Sequence, residues 1–169
     1  ICTGKFTKKI NEYMAQEKEY TGSFTLGAVT PTYDLESEPQ QHKTIAAVTA
    51  EMIRETTAVF TGEIQQVPPI YSAIKKQGTA LYELARRGVD VEIEPRKVFI
   101  RIFEITAVEM PVVHFRIICS TGTYIRSVAH DFGVALGCGA YLSALRRTRI
   151  GEFSVDDAFT IETFIDTLK

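Results

Sequence analysis

Apolar and polar positions along the chain alternate between two periods, 3.6 and 2, and the switches between them mark out the elements. Ile10, Tyr13 and Met14 fall at helical spacing. From Lys18 to Val29 the residues Tyr20, Gly22, Phe24, Leu26 and Ala28 alternate with Thr21, Ser23 and Thr25, the signature of a strand. Thr30 to Lys43, rich in Pro, Thr, Ser, Asp and Glu, is a long surface loop, a length that in a compact domain is usually functional or mobile. Thr44 then caps a helix that buries Ile45, Val48, Met52 and Thr56 and ends before Gly62. Two prolines in Gln66-Val-Pro-Pro-Ile-Tyr-Ser-Ala-Ile-Lys75 hold extended backbone and exclude a central strand. A short helix follows from Ala80 to Arg87, with Thr79 as cap and Gly88 just past its end.

A long strand with Val98, Ile100 and Ile102 in alternation runs through Val108; Pro111 breaks it, and an apolar strand from Val112 to Cys119 returns antiparallel. Ser-Thr-Gly-Thr turns the chain into a helix whose buried face is Ile125, Val128, Ala129, Phe132 and Leu136. Gly137-Cys-Gly139 ends that helix, Tyr141, Leu142 and Leu145 start another short one, and a strand end leads to a closing helix with Ile161, Phe164, Ile165 and Leu168. Strands separated unevenly by helices, with hairpin-like returns, predict an α+β fold around a mainly antiparallel sheet flanked by helices, with residues 1–169 as one domain or most of one.

Composition narrows this picture. The 169 residues suffice for one well-cored domain, 45% of them hydrophobic and 24% charged, as in an ordinary globular protein. No run reaches the length of a membrane span and no secretory signal is present. Cys2, Cys119 and Cys138 are odd in number and far apart, so they read as the reduced core thiols of a cytoplasmic protein; His42, His114 and His130 form no ligand spacing with them, and a metal site is not expected. The formal charge of −2 counts against a nucleic-acid partner, but the charges are segregated. Lys5, Lys8 and Lys9 cluster, as do Lys75, Lys76, Arg86, Arg87, Arg96, Lys97 and Arg101, and Arg146, Arg147 and Arg149 lie in an acid-free stretch, while acids gather at 34–38 and 152–157.

Three positions carry candidate chemistry. Arg126 sits in the first turn of the central helix, where the helix dipole disfavours a cation by about 0.3–1 kcal/mol. Asp131, at i+5, is badly spaced to answer it, so Arg126 awaits either an acid from elsewhere in the fold or a phosphate. Tyr20, next to Lys18 and Glu19 at a strand start, suits either a base-stacking platform or ordinary packing, and Lys75 either a phosphate contact or a solvated surface. No nucleophile triad, P-loop or dinucleotide fingerprint appears.

Several segments, in order along nearly the whole chain, resemble the TruB-type tRNA pseudouridine-55 synthases: Lys18-Glu-Tyr-Thr-Gly-Ser-Phe-Thr-Leu-Gly27, the 66–75 segment, Leu81-Tyr-Glu-Leu-Ala-Arg-Arg-Gly88, Gly122-Thr-Tyr-Ile-Arg-Ser127, and Leu136 through Gly151. The resemblance implies an isomerase, of pseudouridine-synthase fold, that converts one uridine of the tRNA TΨC loop to pseudouridine by base flipping, without cofactor or metal, as a monomer with the TΨC stem-loop as its partner. It implies that Tyr20 stacks on the flipped base and assists proton removal from C5, that Arg126 pairs with a nucleophilic aspartate, that Tyr124 and Leu145 line the uracil pocket, and that Lys8, Lys75 and Arg146 meet phosphates. The family's Gly-x-Leu-Asp-Pro motif, which supplies the nucleophile, is not in the sequence, and Asp34, Asp90, Asp131, Asp156 and Asp157 all stand outside that context. The resemblance therefore implies that the aspartate lies upstream of Ile1, that this chain alone is inactive, and that the PUA domain some members carry is missing. Pro31 and Tyr33 depart from the family pattern in the 30–34 loop. Two other readings stand beside this one: a non-catalytic RNA-binding or tRNA-chaperone module, and an enzyme using Arg126 and Lys75 on a small anion.

Overall fold

A computed structural model describes residues 1–76, 78–89 and 91–169. Its centre is an antiparallel sheet whose strands are β1 (Lys18–Leu26), β2 (Gly62–Gln66), β5 (Arg96–Glu109), β6 (Val112–Cys119), β7 (Ala140–Ile150) and β8 (Phe153–Ser154), in the order β2-β5-β6-β1-β7-β8. A two-stranded ribbon of β3 (Lys75–Lys76) and β4 (Thr79–Ala80) lies apart from it. The helices are α1 (Ile10–Ala15), α2 (Ala50–Thr56), α3 (Leu81–Arg86), α4 (Ile125–Ala135) and α5 (Ile161–Asp166). The fold is α+β around an antiparallel sheet, as the strand periodicity and the Pro111 break indicate.

The core lies on one face of this sheet. Phe24 of β1 and Phe115 of β6 stack at 4.3 Å between ring centroids, Phe103 of β5 meets Phe24 edge-on, and Phe132 of α4 and Phe60 close over them. Ile125, Val128, Ala129 and Phe132 are the buried stripe that the helical spacing predicts, and they press α4 against the sheet. The approach is close because of one glycine. A Cβ on Gly133 would stand 2.0 Å from the Ala140 nitrogen and 2.4 Å from the Gly139 carbonyl carbon, so the α4 backbone touches the start of β7 directly.

The structure corrects four local expectations. Thr44 caps no helix: its hydroxyl accepts the Ala46 N–H in a turn, and α2 begins later, behind Thr49, whose hydroxyl accepts the Met52 N–H at 3.2 Å. The register moves accordingly, burying Ile53 and exposing Met52. Thr79 pairs with Lys76 in the ribbon, leaving Ala80 at the head of α3. Residues 141–145 are not helical but lie in β7. The helix-like spacing of Tyr141, Leu142 and Leu145 arises because a β-bulge interrupts the strand alternation there, and the edge of β1 takes up the backbone. The closing helix α5 forms, capped by Thr160, yet Ile161, Phe164 and Ile165 are exposed on it.

Candidate active site

Arg126 finds the first of its two possible partners, an acid from a distant part of the chain. Its Nη1 donates to Asp34 Oδ2 at 3.2 Å and to the Thr32 carbonyl at 3.3 Å, and its Nη2 donates to the Tyr71 carbonyl at 2.9 Å. The guanidinium thus ties the 30–43 loop and the Pro-Pro segment to the head of α4, leaving the Nε–H and one Nη2–H uncommitted among the described residues. Asp34 is itself fixed: its Oδ1 accepts the Glu36 N–H at 3.0 Å, and it bridges to Leu142. The Tyr33 carbonyl accepts the Leu142 N–H at 2.9 Å, and the Tyr33 ring stacks on His130 of α4 at 4.0 Å. The departure from the family pattern at Tyr33 therefore adds an anchor to this loop. Burial holds the His130 imidazole below its ordinary value, against the pull of Asp131, so at neutral pH the stack is uncharged. Asp34, Arg126, Leu142 and Leu145 line one open cleft of about 600 Å³.

Tyr124 is the residue before α4, and its placement depends on a side chain with no motif of its own. Gln66, 1% exposed at the end of β2, accepts the Tyr124 N–H at 2.8 Å through Oε1 and donates to the Tyr124 carbonyl at 3.2 Å through Nε2. Ser127 donates to the Val67 carbonyl at 2.8 Å, so the end of β2 and the residue after it are both stitched to the start of α4. The chain reaches Tyr124 through Gly122 at φ +85°, a left-handed turn that suits glycine. Outside it, the Arg96 guanidinium covers the Tyr124 ring at 5.3 Å.

Tyr20 lies opposite Arg147 on β7 and Ile117 on β6, hence on the same sheet face as Phe24 and the core. Leu145 lies opposite Gly22, two residues along that face. No larger residue would serve at Gly22, since a Cβ there would meet the Ala144 carbonyl oxygen at 2.1 Å. Burial pushes the Tyr20 phenol above its ordinary value and Cys119 adds to the shift, with Arg147 pulling the other way; the hydroxyl stays protonated at neutral pH. Arg146 points to the opposite face, opposite Thr21. The arginine that the fold sets beside Tyr20 is Arg147, which the sequence offered only as one member of a basic cluster. Lys8 is exposed in a 3-10 turn and Lys75 in the outlying ribbon, where it lines a separate cavity with Lys76 and Glu92. The structure brings Tyr20, Leu145 and Arg126 to one side of the sheet, and it does not bring Lys8, Lys75 or Arg146 into the cleft.

Behind Tyr20, on the far face, Glu19 gathers Arg116 at 2.7 Å, Arg149 at 3.3 Å and the Thr148 hydroxyl at 2.9 Å. Burial alone would raise the Glu19 carboxyl, but the hydrogen bonds from Arg116, Thr148 and Arg149 outweigh it and hold the group below its ordinary value. A carboxyl depressed in the folded state contributes stability above the unfolded value of about 4.3 and loses it as the pH falls through the folded value. Glu19→Gln is thus expected to lower the melting temperature at pH 6–8, and the gap from the parent should close below about pH 4. Thermal melts across that range read it; a gap independent of pH would assign the loss to packing alone.

The remaining candidate groups are inert here. Cys119 and Cys138 are buried free thiols, and burial pushes Cys119 up to about 11. Gly137, at φ +73°, ends α4. Among the described residues no group of three or more His, Cys, Asp or Glu is placed to hold a metal ion, and no helix is long and apolar enough to cross a membrane. Asp131 is half-buried on α4, Asp156 and Asp157 are exposed in a 3-10 turn, and Asp90 lies outside the described residues.

Comparison with known proteins gives this arrangement a family. Residues 1–125 match the model of the TruB family pseudouridylate synthase (N terminal domain), and residues 126–169 that of the tRNA pseudouridylate synthase B C-terminal domain. The junction falls in the first turn of α4, although β7 beyond it pairs with β1 before it, so one sheet draws on both matched regions. Among curated relatives, tRNA pseudouridine synthase B of Flavobacterium johnsoniae is 53% identical over 169 residues, 100% of this chain and 74% of that protein. The same-named protein of Parabacteroides distasonis is 43% identical, over 100% of this chain and 72% of its own length. Among solved structures, a Cbf5–Nop10–Gar1 complex matches with a TM-score of 0.64 and 29% identity, over 92% of this chain and 37% of the matched one. An H/ACA RNP bound to a substrate RNA containing 2′-deoxyuridine matches with a TM-score of 0.64 and 26% identity, over 96% and 37%. With family models spanning the whole length and relatives of this identity over all of it, the chain belongs to the TruB family of pseudouridylate synthases.

Proposed function

We propose that these residues form the uridine-holding part of a tRNA pseudouridine synthase acting on the TΨC loop. The supporting observation is the cleft itself: Arg126, with donors uncommitted, shares about 600 Å³ with Leu145, and Tyr20 stands on the same sheet face with its phenol protonated. A space of that size takes a nucleoside, and reaching it requires the uridine to leave its stack. The relatives' names point to transfer RNA as substrate.

The reaction is an isomerisation. The bond from C1′ to N1 breaks, one from C1′ to C5 forms, and a proton leaves C5 as N1 gains one, so nothing is oxidised and no co-reactant is consumed. In this reading Arg126 orients the nucleophilic aspartate supplied by the family's Gly-x-Leu-Asp-Pro motif, which these 169 residues do not contain. Asp34 is not that nucleophile: both its oxygens are engaged, and its part is to hold Arg126. Tyr20 stacks on the base and, as a neutral phenol, relays the C5 proton without acting as a resident phenolate. Tyr124 and Leu145 wall the uracil. Lys8 and Lys75 meet phosphates of the stem, and Arg146 meets them outside the cleft. The protein works as a monomer in the cytoplasm, without metal or cofactor.

Tyr20→Phe in the full-length protein tests the role of the hydroxyl. Affinity for the stem-loop should stay within about threefold because stacking survives, while the single-turnover rate falls about 10²-fold or more. An unchanged rate would remove Tyr20 from the proton path. A second reading, an RNA-binding module without chemistry, draws on Arg126 being paired already to Asp34; it requires that the full-length protein bind the stem-loop and convert no uridine.

A further inference from the structure

β7 carries two irregularities against β1, and each is fastened by a hydroxyl. Register shifts fall between Glu19 and Tyr20 and between Ser23 and Phe24. At the first, Glu19 lies opposite Arg149 and Tyr20 opposite Arg147, so Thr148 is the extra residue. At the second, Ser23 lies opposite Ala144 and Phe24 opposite Leu142, so Ser143 is the extra residue. The Thr148 hydroxyl bonds the Glu19 carboxylate at 2.9 Å and reaches the Glu19 carbonyl at 3.4 Å; the Ser143 hydroxyl bonds the Ser23 hydroxyl at 2.9 Å and the Ser23 carbonyl at 3.1 Å. The Glu19 end is the stronger of the two, because Arg116 and Arg149 bring charge-assisted bonds to the same carboxylate from both neighbouring strands.

The consequence lies between the bulges. Leu142 faces the core, and strict alternation from it would put Ala144 and Arg146 on the sheet face of Tyr20 and send Leu145 and Arg147 to the opposite one. The same result follows from counting back from Arg149. One extra residue at each end reverses the phase of 144–147 alone, because a slip of one residue flips every side chain to the other face. We infer that the Thr148 bulge, clamped by Glu19 and matched by the Ser143 bulge, is what turns Leu145 to the cleft and sets Arg147, instead of Arg146, on the sheet face of Tyr20, and that Glu19 and Thr148 are positioning residues for that site. The inference rests on the reading of the cleft given above. Neither residue touches the cleft; both act through the register.

The test separates register from chemistry. In the full-length protein, Thr21→Cys combined with Arg146→Cys reports the bulged register, since these positions are directly opposite, whereas Thr21→Cys combined with Arg147→Cys reports the slipped one. Oxidation should cross-link the first pair and not the second. Adding Thr148→Val should shift cross-linking toward the second pair, and Thr148→Ser, which keeps a hydroxyl, should not. Without the cysteines, Thr148→Val and Glu19→Gln should each lower the single-turnover rate on the TΨC stem-loop at saturating RNA by tenfold or more, while Thr148→Ser stays within twofold of the parent. Thr148→Val stands in should Glu19→Gln fail to fold. Parental cross-linking in Thr148→Val, whether or not its rate falls, overturns the inference and leaves the functional reading standing. A parent that cross-links as described but converts no uridine overturns the functional reading and leaves the register inference standing.

Discussion

Arg126→Ala in the full-length protein should abolish most of the turnover on the TΨC stem-loop while RNA binding stays close to the parent's. The guanidinium sits at the bottom of the cleft among loop carbonyls and Asp34, not on the outer basic surfaces that would meet phosphate. In the proposed reading its loss removes the positive charge against which the nucleophile is held, a contribution that in comparable electrostatic sites amounts to about 10²–10³ in rate. Affinity should change by less than about fivefold, because non-specific binding comes from exposed lysines and arginines. Some of the loss will be structural: Arg126→Ala leaves Asp34 without its ion pair and frees the loop from Thr32 to Asp34. Arg126→Lys separates the contributions, since it restores charge but not the three-way fork to Asp34, Thr32 and Tyr71. It should recover stability more than rate. Single-turnover kinetics with a binding isotherm on the same RNA read both quantities, and a fall in binding with an unchanged rate would remove Arg126 from the chemistry.

The second large effect is on folding. Gly133→Ala should destabilise the protein by about 2–4 kcal/mol even though alanine is the better helix former by about 1 kcal/mol. The added carbon would stand 2.0 Å from the Ala140 nitrogen and 2.6 Å from its Cβ, and the two nearest obstacles are backbone, which cannot rotate away. Either α4 lifts from the sheet, loosening Phe132 and Ala129 from the core, or Gly139–Ala140 moves and takes the start of β7 with it. Thermal melting should show a drop of about 5–15 °C. Gly137→Ala is the useful contrast: nothing lies within 4 Å of its Cβ, so it meets only the strain of φ +73° and should cost less. Equal losses at the two positions would show that helix ending, not close packing, is what Gly133 serves.

Much of this architecture is legible in the residues because its cause is local. The paired strands around Pro111 follow from alternation interrupted by a residue that cannot continue it, although register shifts in β5 between Ile100 and Ile102 and between Ile105 and Ala107 put Phe103, not Ile102, on the core face; the buried stripe of α4 follows from helical spacing. Arg126 stood out as a cation at the wrong end of a helix dipole. Its partner did not, because Asp34 is brought to it by a loop anchored at Tyr33 and Leu142, contacts that no local rule encodes. β7 was misread for a related reason: its bulges break the period of 2, and only the bonds from Glu19 and Ser23 reveal that the strand resumes in shifted phase. Gln66 escaped notice because one buried amide has no pattern; the clue is its place before two prolines, where a polar residue at 1% exposure needs backbone partners. The distinction between Arg146 and Arg147 depends on the same bulges, so composition could supply the cluster but not the face.

The central claim is that these residues build the uridine-holding half of an isomerase site and that the nucleophile comes from a motif they lack. Release of tritium from C5-labelled uridine in a TΨC stem-loop measures it directly. The full-length protein should release one equivalent per RNA, and the 169-residue chain, at concentrations where it binds the same RNA in a salt-dependent way, should release none. Catalytic release by the 169 residues alone would contradict the account.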